Sequence, residues 1–230
     1  MSTNLRELAY AYIRGKLLEG RIPPGSRISS RALAREIGIS FIPVREAIAQ
    51  LAIEGLVDHA AGIGTFATRV GPDDLRELYE LREALEIHAV GLAAERIDAE
   101  GLAAMSGWND ELRAIAVRRR AHPHRGDDDQ DLAAWNNADL ELHLALLRAA
   151  GNSRLVRAVK DLRILTQVFR AQRQLRPVED LERACDHHQT LIASLARHDG
   201  EAARAILSEH IRFGCQNALA SLDIRRSEAG

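Results

Sequence analysis

The sequence predicts a mainly α protein in two parts: a small head over residues 1–71 and an antiparallel all-helical bundle over residues 72–230. Three observations lead there. Hydrophobic residues make up 46% of the chain but aromatics only 4%, a mixture that favours helices packed through aliphatic stripes. Apolar residues recur at helical spacing through most of the chain. One glycine-punctuated stretch, LVDHAAGIGTFATRV, instead reads as two short strands around a turn at Gly62–Gly64.

The head is built in order. A first helix is expected from about Leu5 to Glu19, with Leu8, Ile13, Leu17 and Leu18 suited to one buried face. Gly20 ends it, and IPPGSRI reads as a turn. Ser29 or Ser30 caps a second helix over RALAREIG, and Gly38 stops it. Ser40 is the next cap, and a third helix runs through VREAIAQLAIEG to Gly55, burying Val44, Ile48 and Leu51. Helix, helix, tight turn, helix and β-hairpin make a winged helix-turn-helix, and the last helix of the pair is the one such a head presents to a DNA major groove.

Gly71-Pro72 breaks the pattern and marks the domain boundary. Beyond it everything reads helical, over about 73–97, 100–119, 129–149, 153–174, 178–197 and 200–222, with residues 118–131 as one long polar surface loop. Six helices of this length predict a bundle.

Charge and cysteine usage narrow the class. Residues 1–70 carry nine Lys/Arg against six Asp/Glu, and the remainder 22 against 27. A mildly basic head on an acidic body fits a DNA-binding end joined to something else. Cys185 and Cys215, the two cysteines, both lie in helical pattern, which fits a reducing cytoplasm rather than a disulfide framework. The first residues lack the apolar core and cleavage site of a signal peptide, and no stretch approaches a membrane span.

On the head, Arg45 lies near the start of the third helix, where it can donate to guanine O6 and N7 or pair with phosphate. Arg31 and Arg35 on the preceding helix are placed to reach phosphates, and the wing tip at Gly62–Gly64 is small enough for a minor groove. A merely solvated basic face is the alternative for each arginine taken singly.

In the bundle, Asp139 and His143 stand four residues apart among Leu140, Leu144 and Leu147, so both share one inward face. His188, among Leu191, Ile192 and Leu195, and His210, among Ile206, Leu207 and Ile211, fall on inward faces of two other helices. One Asp and three His suit zinc, nickel, manganese or iron better than calcium, with zinc the first candidate. The alternative is an Asp139–His143 salt bridge with His188 and His210 unrelated.

The head resembles the GntR superfamily of bacterial regulators through IRGKLLEGRIPPGSRI, RALAREIGIS, PVREAIAQLAIEGLV and GIGTF. The resemblance implies DNA contacts from Arg31, Arg45 and Gly62. One departure stands out: family members commonly carry Arg directly after the Ser that opens the recognition helix, where this chain has Phe41. Phe cannot donate to a base edge, although it can contact a thymine methyl, so the operator is expected to differ from the usual half-site. The bundle resembles the FCD effector domain of the FadR-type branch through DLRELYELREALE, ADLELH, AAGN and HHQTLIASLARHDGEAARAILSEHI. That resemblance implies a divalent metal on Asp139, His143, His188 and His210, with His188 preferred over its neighbour His187. It also implies a small carboxylate against the metal, held in part by Arg82. An Arg82–Glu86 salt bridge at i, i+4 is the plain alternative, and Asn152 reads as a helix cap.

The function expected is a ligand-responsive DNA-binding transcriptional regulator, acting as a homodimer on a palindromic operator and not as an enzyme. Two rivals from other classes are a metal-dependent helical-bundle hydrolase and a winged-helix protein-interaction module.

Overall fold

The head forms because glycine and serine punctuate three short amphipathic helices. α1 (Leu5–Leu18), α2 (Ser30–Ile37) and α3 (Phe41–Ile53) are followed by the hairpin of β1 (Val57–Ala60) and β2 (Gly64–Ala67). The computed structural model describes residues 5–69, 71–122, 128–170 and 177–228. Ala9, Ile13 and Leu17 give α1 its buried face, whereas Leu8 is 42% exposed. The stripe is thus rotated from the expected one: the i, i+4, i+8 row runs through an alanine, which the eye passes over beside a leucine.

Ser29 caps α2 by accepting from the Ala32 amide at 3.2 Å. Gly38 closes it in the left-handed region at φ 78°, and its amide donates to the Ala34 carbonyl. α3 begins at Phe41, three residues before the expected Val44, because Pro43 is tolerated in a first turn where amides have no intrahelical acceptor. Pro43, Val44, Ala47, Ile48 and Leu51 form its buried face. The hairpin pairs Val57 with Ala67 and Ala60 with Gly64. The segment before α2, expected to be only a turn, adds a third extended edge: Arg27 bridges Phe66, and the Ile28 amide donates to the Thr65 carbonyl at 2.8 Å.

The chain divides between Gly71 and Pro72 into two units, with a segment beginning at Ile164 grouped with the first. The second unit is helical: α4 (Pro72–Arg96), α5 (Ala99–Ala121), α6 (Asp128–Ala149), α7 (Ser153–Arg170), α8 (Val178–Ala196) and α9 (Gly200–Glu228). α4 packs along α9 and against α6 and α8, and α5 packs along α6 and α8. Leu142, Leu146, Leu147, Leu181, Leu195 and Leu207 are fully buried, as is Trp135 at 2% exposure. Asn152 caps α7 through the Arg154 and Leu155 amides, both at 3.2 Å.

The polar break at 118–131 is narrower than expected. Arg118, Arg119 and Arg120 complete the last turn of α5, and α6 starts at Asp128. Basic side chains suit a helix C-terminus. Arg118 pairs with Asp131 at 2.8 Å and Arg120 with Glu182 at 2.6 Å. His124 lies outside the described residues. Among the described residues, no helix is long and apolar enough to cross a membrane.

A Cβ at Gly38 would meet nothing within 4 Å, so only backbone conformation resists a side chain there. Gly38→Ala is therefore expected to lower unfolding free energy by about 1–2 kcal/mol, and Gly38→Asn by less, in urea denaturation. Equal losses for both variants would show that some other contact decides the site.

Candidate functional site

Two sets of residues carry chemistry, one in each unit. In the head, Arg31 and Arg35 are exposed on α2, and Phe41 and Arg45 on α3. The Arg45 guanidinium lies over the Phe41 ring, 5.6 Å from its centroid. Gly62 sits in the turn between β1 and β2 at φ 74°, a conformation glycine adopts without strain. An open groove of about 540 Å³ runs beside this turn, lined by Arg27, His59, Gly62, Gly64 and Thr65 among others. Arg27 lies so close over Gly64 that its Nε is 3.0 Å from where a Cβ would stand. Arg27 was missed from sequence because the extended edge that carries it read as a turn.

In the bundle, α6 supplies Asp139 and His143, α8 supplies His188, and α9 supplies His210. One donor atom from each of these four lies within 4.8 Å of the other three. The ring centroids of His143 and His188 are 5.3 Å apart, those of His143 and His210 5.2 Å, and those of His188 and His210 4.5 Å. Helical spacing explains the convergence on α6, where i and i+4 stack on one face. On α8 and α9, the leucines and isoleucines beside each histidine fix which face turns inward. His187 is not one of the four. Its ring meets Phe213 and His210 edge-on, and its Nε2 lies 3.5 Å from Glu209.

Three further charged side chains adjoin this cluster, and sequence reasoning gave a site role to Arg82 alone. Arg82, Glu86 and Arg163 are buried at 4%, 0% and 2% exposure. Arg82 Nε donates to Glu86 Oε1 at 2.9 Å. This is the i, i+4 pair raised as the plain alternative for Arg82, yet it is buried at the cluster rather than on a solvated face. Arg163 on α7 donates to Glu86 at 2.8 Å and to Asp139 Oδ2 at 3.3 Å. His143 Nδ1 stands 3.3 Å from Glu86 Oε2.

The electrostatics follow from burial. Burial alone would push the Glu86 carboxyl up, but the guanidiniums of Arg163 and Arg82 and the nearby His143 hold it well below the usual carboxylate range. Burial pushes His143 down, and Arg163 adds to that against the opposing pull of Glu86. Burial pushes His210 far down, helped by His188 and His143. His143 and His210 are therefore neutral imidazoles near pH 7, the form that offers a lone pair to a metal.

The donor set fits a divalent ion. His143 Nε2 and His210 Nδ1 are buried without a hydrogen-bond partner among the described residues, a costly state for a polar atom that nothing satisfies. Bonds of roughly 2.0–2.2 Å allow donors up to about 4.4 Å apart, so small side-chain shifts bring all four into range.

Family comparisons agree with this anatomy. Residues 5–67 match the model for bacterial regulatory proteins of the gntR family, and residues 77–213 match the FCD domain. The chain belongs to the GntR family. It joins a gntR-type DNA-binding head to an FCD domain, and it is a transcriptional regulator of that GntR/FCD type. It is 29% identical over 202 residues to a protein of Paenarthrobacter nicotinovorans named as a probable D-xylose utilization operon transcriptional repressor, covering 87% of this chain and 82% of that one. It is 26% identical over 199 residues to the HTH-type transcriptional regulator McbR of Escherichia coli, covering 86% and 85%. The solved structure of E. coli McbR/YncC superposes with a TM-score of 0.75 at 21% identity, covering 99% of this chain and all of that one. A GntR regulator from Rhodococcus sp. RHA1 gives 0.72 at 21% identity, over 95% and 99%. At these identities the superpositions show a shared fold.

Replacing Glu86 would take a shared carboxylate from two buried guanidiniums. Glu86→Ala is expected to cost about 3–5 kcal/mol of stability, read as a lowered denaturation midpoint. Glu209→Ala, which breaks the exposed Arg183–Glu209 pair, should leave the midpoint almost unmoved. Similar losses from both would mean that burial does not set the importance of Glu86.

Proposed function

We propose that this regulator binds a palindromic operator as a homodimer and senses a small carboxylate at a divalent transition metal held by Asp139, His143, His188 and His210, with zinc the first candidate. The carrying observation is the charge balance around the four donors. Among the described residues, the buried arginine and carboxylate side chains are Arg82, Arg163, Glu86 and Asp139. Two positive and two negative charges cancel. A divalent cation would leave an excess of two positive charges in a site largely removed from water, and an anion would offset it. FCD domains often bind metal, and this one carries a matching donor set. Arg82 and Arg163 supply guanidinium forks suited to a carboxylate.

For DNA, Arg31, Arg35, Phe41, Arg45 and Gly62 form the contact set, supported by their exposure on the head. Two heads related by a twofold axis match the two halves of a palindrome. A carboxylate that prefers one arrangement of the bundle shifts operator affinity by linkage, typically by ~1–3 kcal/mol. The chain works in the cytoplasm on this reading. Catalysis is not part of it: the relatives are named as transcriptional regulators, and Glu86, one of two carboxylates beside the imidazoles, is clamped by two guanidiniums and held well below the usual carboxylate range, which makes it a poor base. A winged-helix module that binds protein alone would leave the buried donor cluster without a purpose.

Metal analysis of the purified chain should find one divalent ion per chain, lost on exhaustive chelation and in His188→Ala. Thermal melts with lactate, a dicarboxylate and a sugar acid should then show stabilisation only in the metal-loaded protein. Metal-free wild type whose melting ignores both chelator and metal would overturn the metal site, and turnover of an added acid would favour the hydrolase.

Operator binding is read on a duplex selected by the full chain from a randomised pool. Arg45→Ala should weaken it roughly tenfold to a hundredfold, the range of one lost bidentate base contact. Unchanged affinity and unchanged salt dependence would remove α3 from the DNA interface.

A further inference from the structure

The recognition helix opens on apolar side chains that the head does not bury. Phe41 is 39% exposed and Ile42 67%, as the first two residues of α3 after Ser40. The core takes Pro43, Val44, Ala47, Ile48 and Leu51 from the same helix, so packing has no use for the two residues that precede them. Arg45, one turn on, lies over the Phe41 ring rather than against a carboxylate among the described residues. Such stacking holds a guanidinium in place while leaving its donors outward. Exposed Arg31 and Arg35 make the surroundings basic, which matches a polyanion better than an apolar protein surface.

In a major groove, most of each base edge is a donor or acceptor. A phenyl or butyl group laid over such an edge removes water and returns no hydrogen bond. The thymine C5-methyl is the exception, because it gains from apolar cover. Guanine offers the two acceptors that an arginine fork matches.

Resting on the DNA-binding reading above, we infer that Phe41 and Ile42 form an apolar reading face for thymine methyls, and that Arg45, held on the Phe41 ring, reads an adjacent guanine. Specificity at the thymine then depends on a methyl group rather than on a hydrogen bond.

The duplex selected from the randomised pool supplies the test. Each thymine is replaced singly by deoxyuridine, which removes the methyl and keeps every hydrogen-bonding group. For the wild-type chain, at least one such replacement per half-site, next to a guanine, should weaken binding roughly fourfold, the worth of one buried carbon. Phe41→Ala and Ile42→Ala should bind the thymine and uracil duplexes more nearly alike, whereas Phe41→Leu should keep part of the preference. If no thymine responds in the wild type, or Phe41→Ala and Ile42→Ala keep the full response, the inference fails. The wild-type arm needs no variant to fold. If Arg45→Ala weakens binding while every deoxyuridine is silent, only this inference falls. If no duplex is enriched and Arg45→Ala changes nothing, the DNA-binding reading falls with it.

Discussion

A carboxylate removed from water must meet positive charge or take up a proton. Glu86 is wholly buried in the second unit and stays ionised because Arg82 reaches it from the same helix and Arg163 from α7. Arg163 also reaches Asp139 on α6, so three helices meet on one balanced set of charges. The imidazoles on α6, α8 and α9 gather around that set. Burial pushes His143 and His210 toward the neutral form, and the same dehydration makes the carboxylate demanding, so the donor cluster and the ion pair are two results of one buried, polar centre.

Such a centre adds little net stability compared with an apolar core of equal volume. Its value lies in specification. Each group has a directional partner, and a changed total charge cannot be absorbed by repacking leucines. In a chain with 4% aromatics, a bundle core filled mostly with aliphatic side chains would tolerate several helix registers; the polar centre favours one.

The sequence made the head legible because its chain reversals are written in glycine. Gly20, Gly38, Gly55 and Gly62 all adopt positive φ, and each falls where an element ends. Asp139 and His143 were legible because one helix carries both at i, i+4. Arg163 was not. It follows Arg154, Arg157 and Lys160 on a helix that reads as a solvated basic face, and only its partners on α4 and α6 draw it inward. Contacts between residues 24 and 77 positions apart leave no local periodicity to read. The start of α3 was displaced for a related reason: proline reads as a stop, although in a first helical turn it is at ease.

Pro43 has a wider consequence. It is the third helical residue after Ser40, where a capping serine would ordinarily find an amide to bind. Proline offers none, and Ser40 makes no side-chain capping bond, unlike Ser29 at the head of α2. α3 thus begins with a hydroxyl that makes no capping bond. A residue with an amide at 43 would offer that hydroxyl a capping partner but would take the proline ring out of the buried face. Pro43 therefore serves two ends at once: its ring belongs to the buried face of α3, and its missing amide leaves the Ser40 hydroxyl open to solvent or to whatever meets this end of the helix.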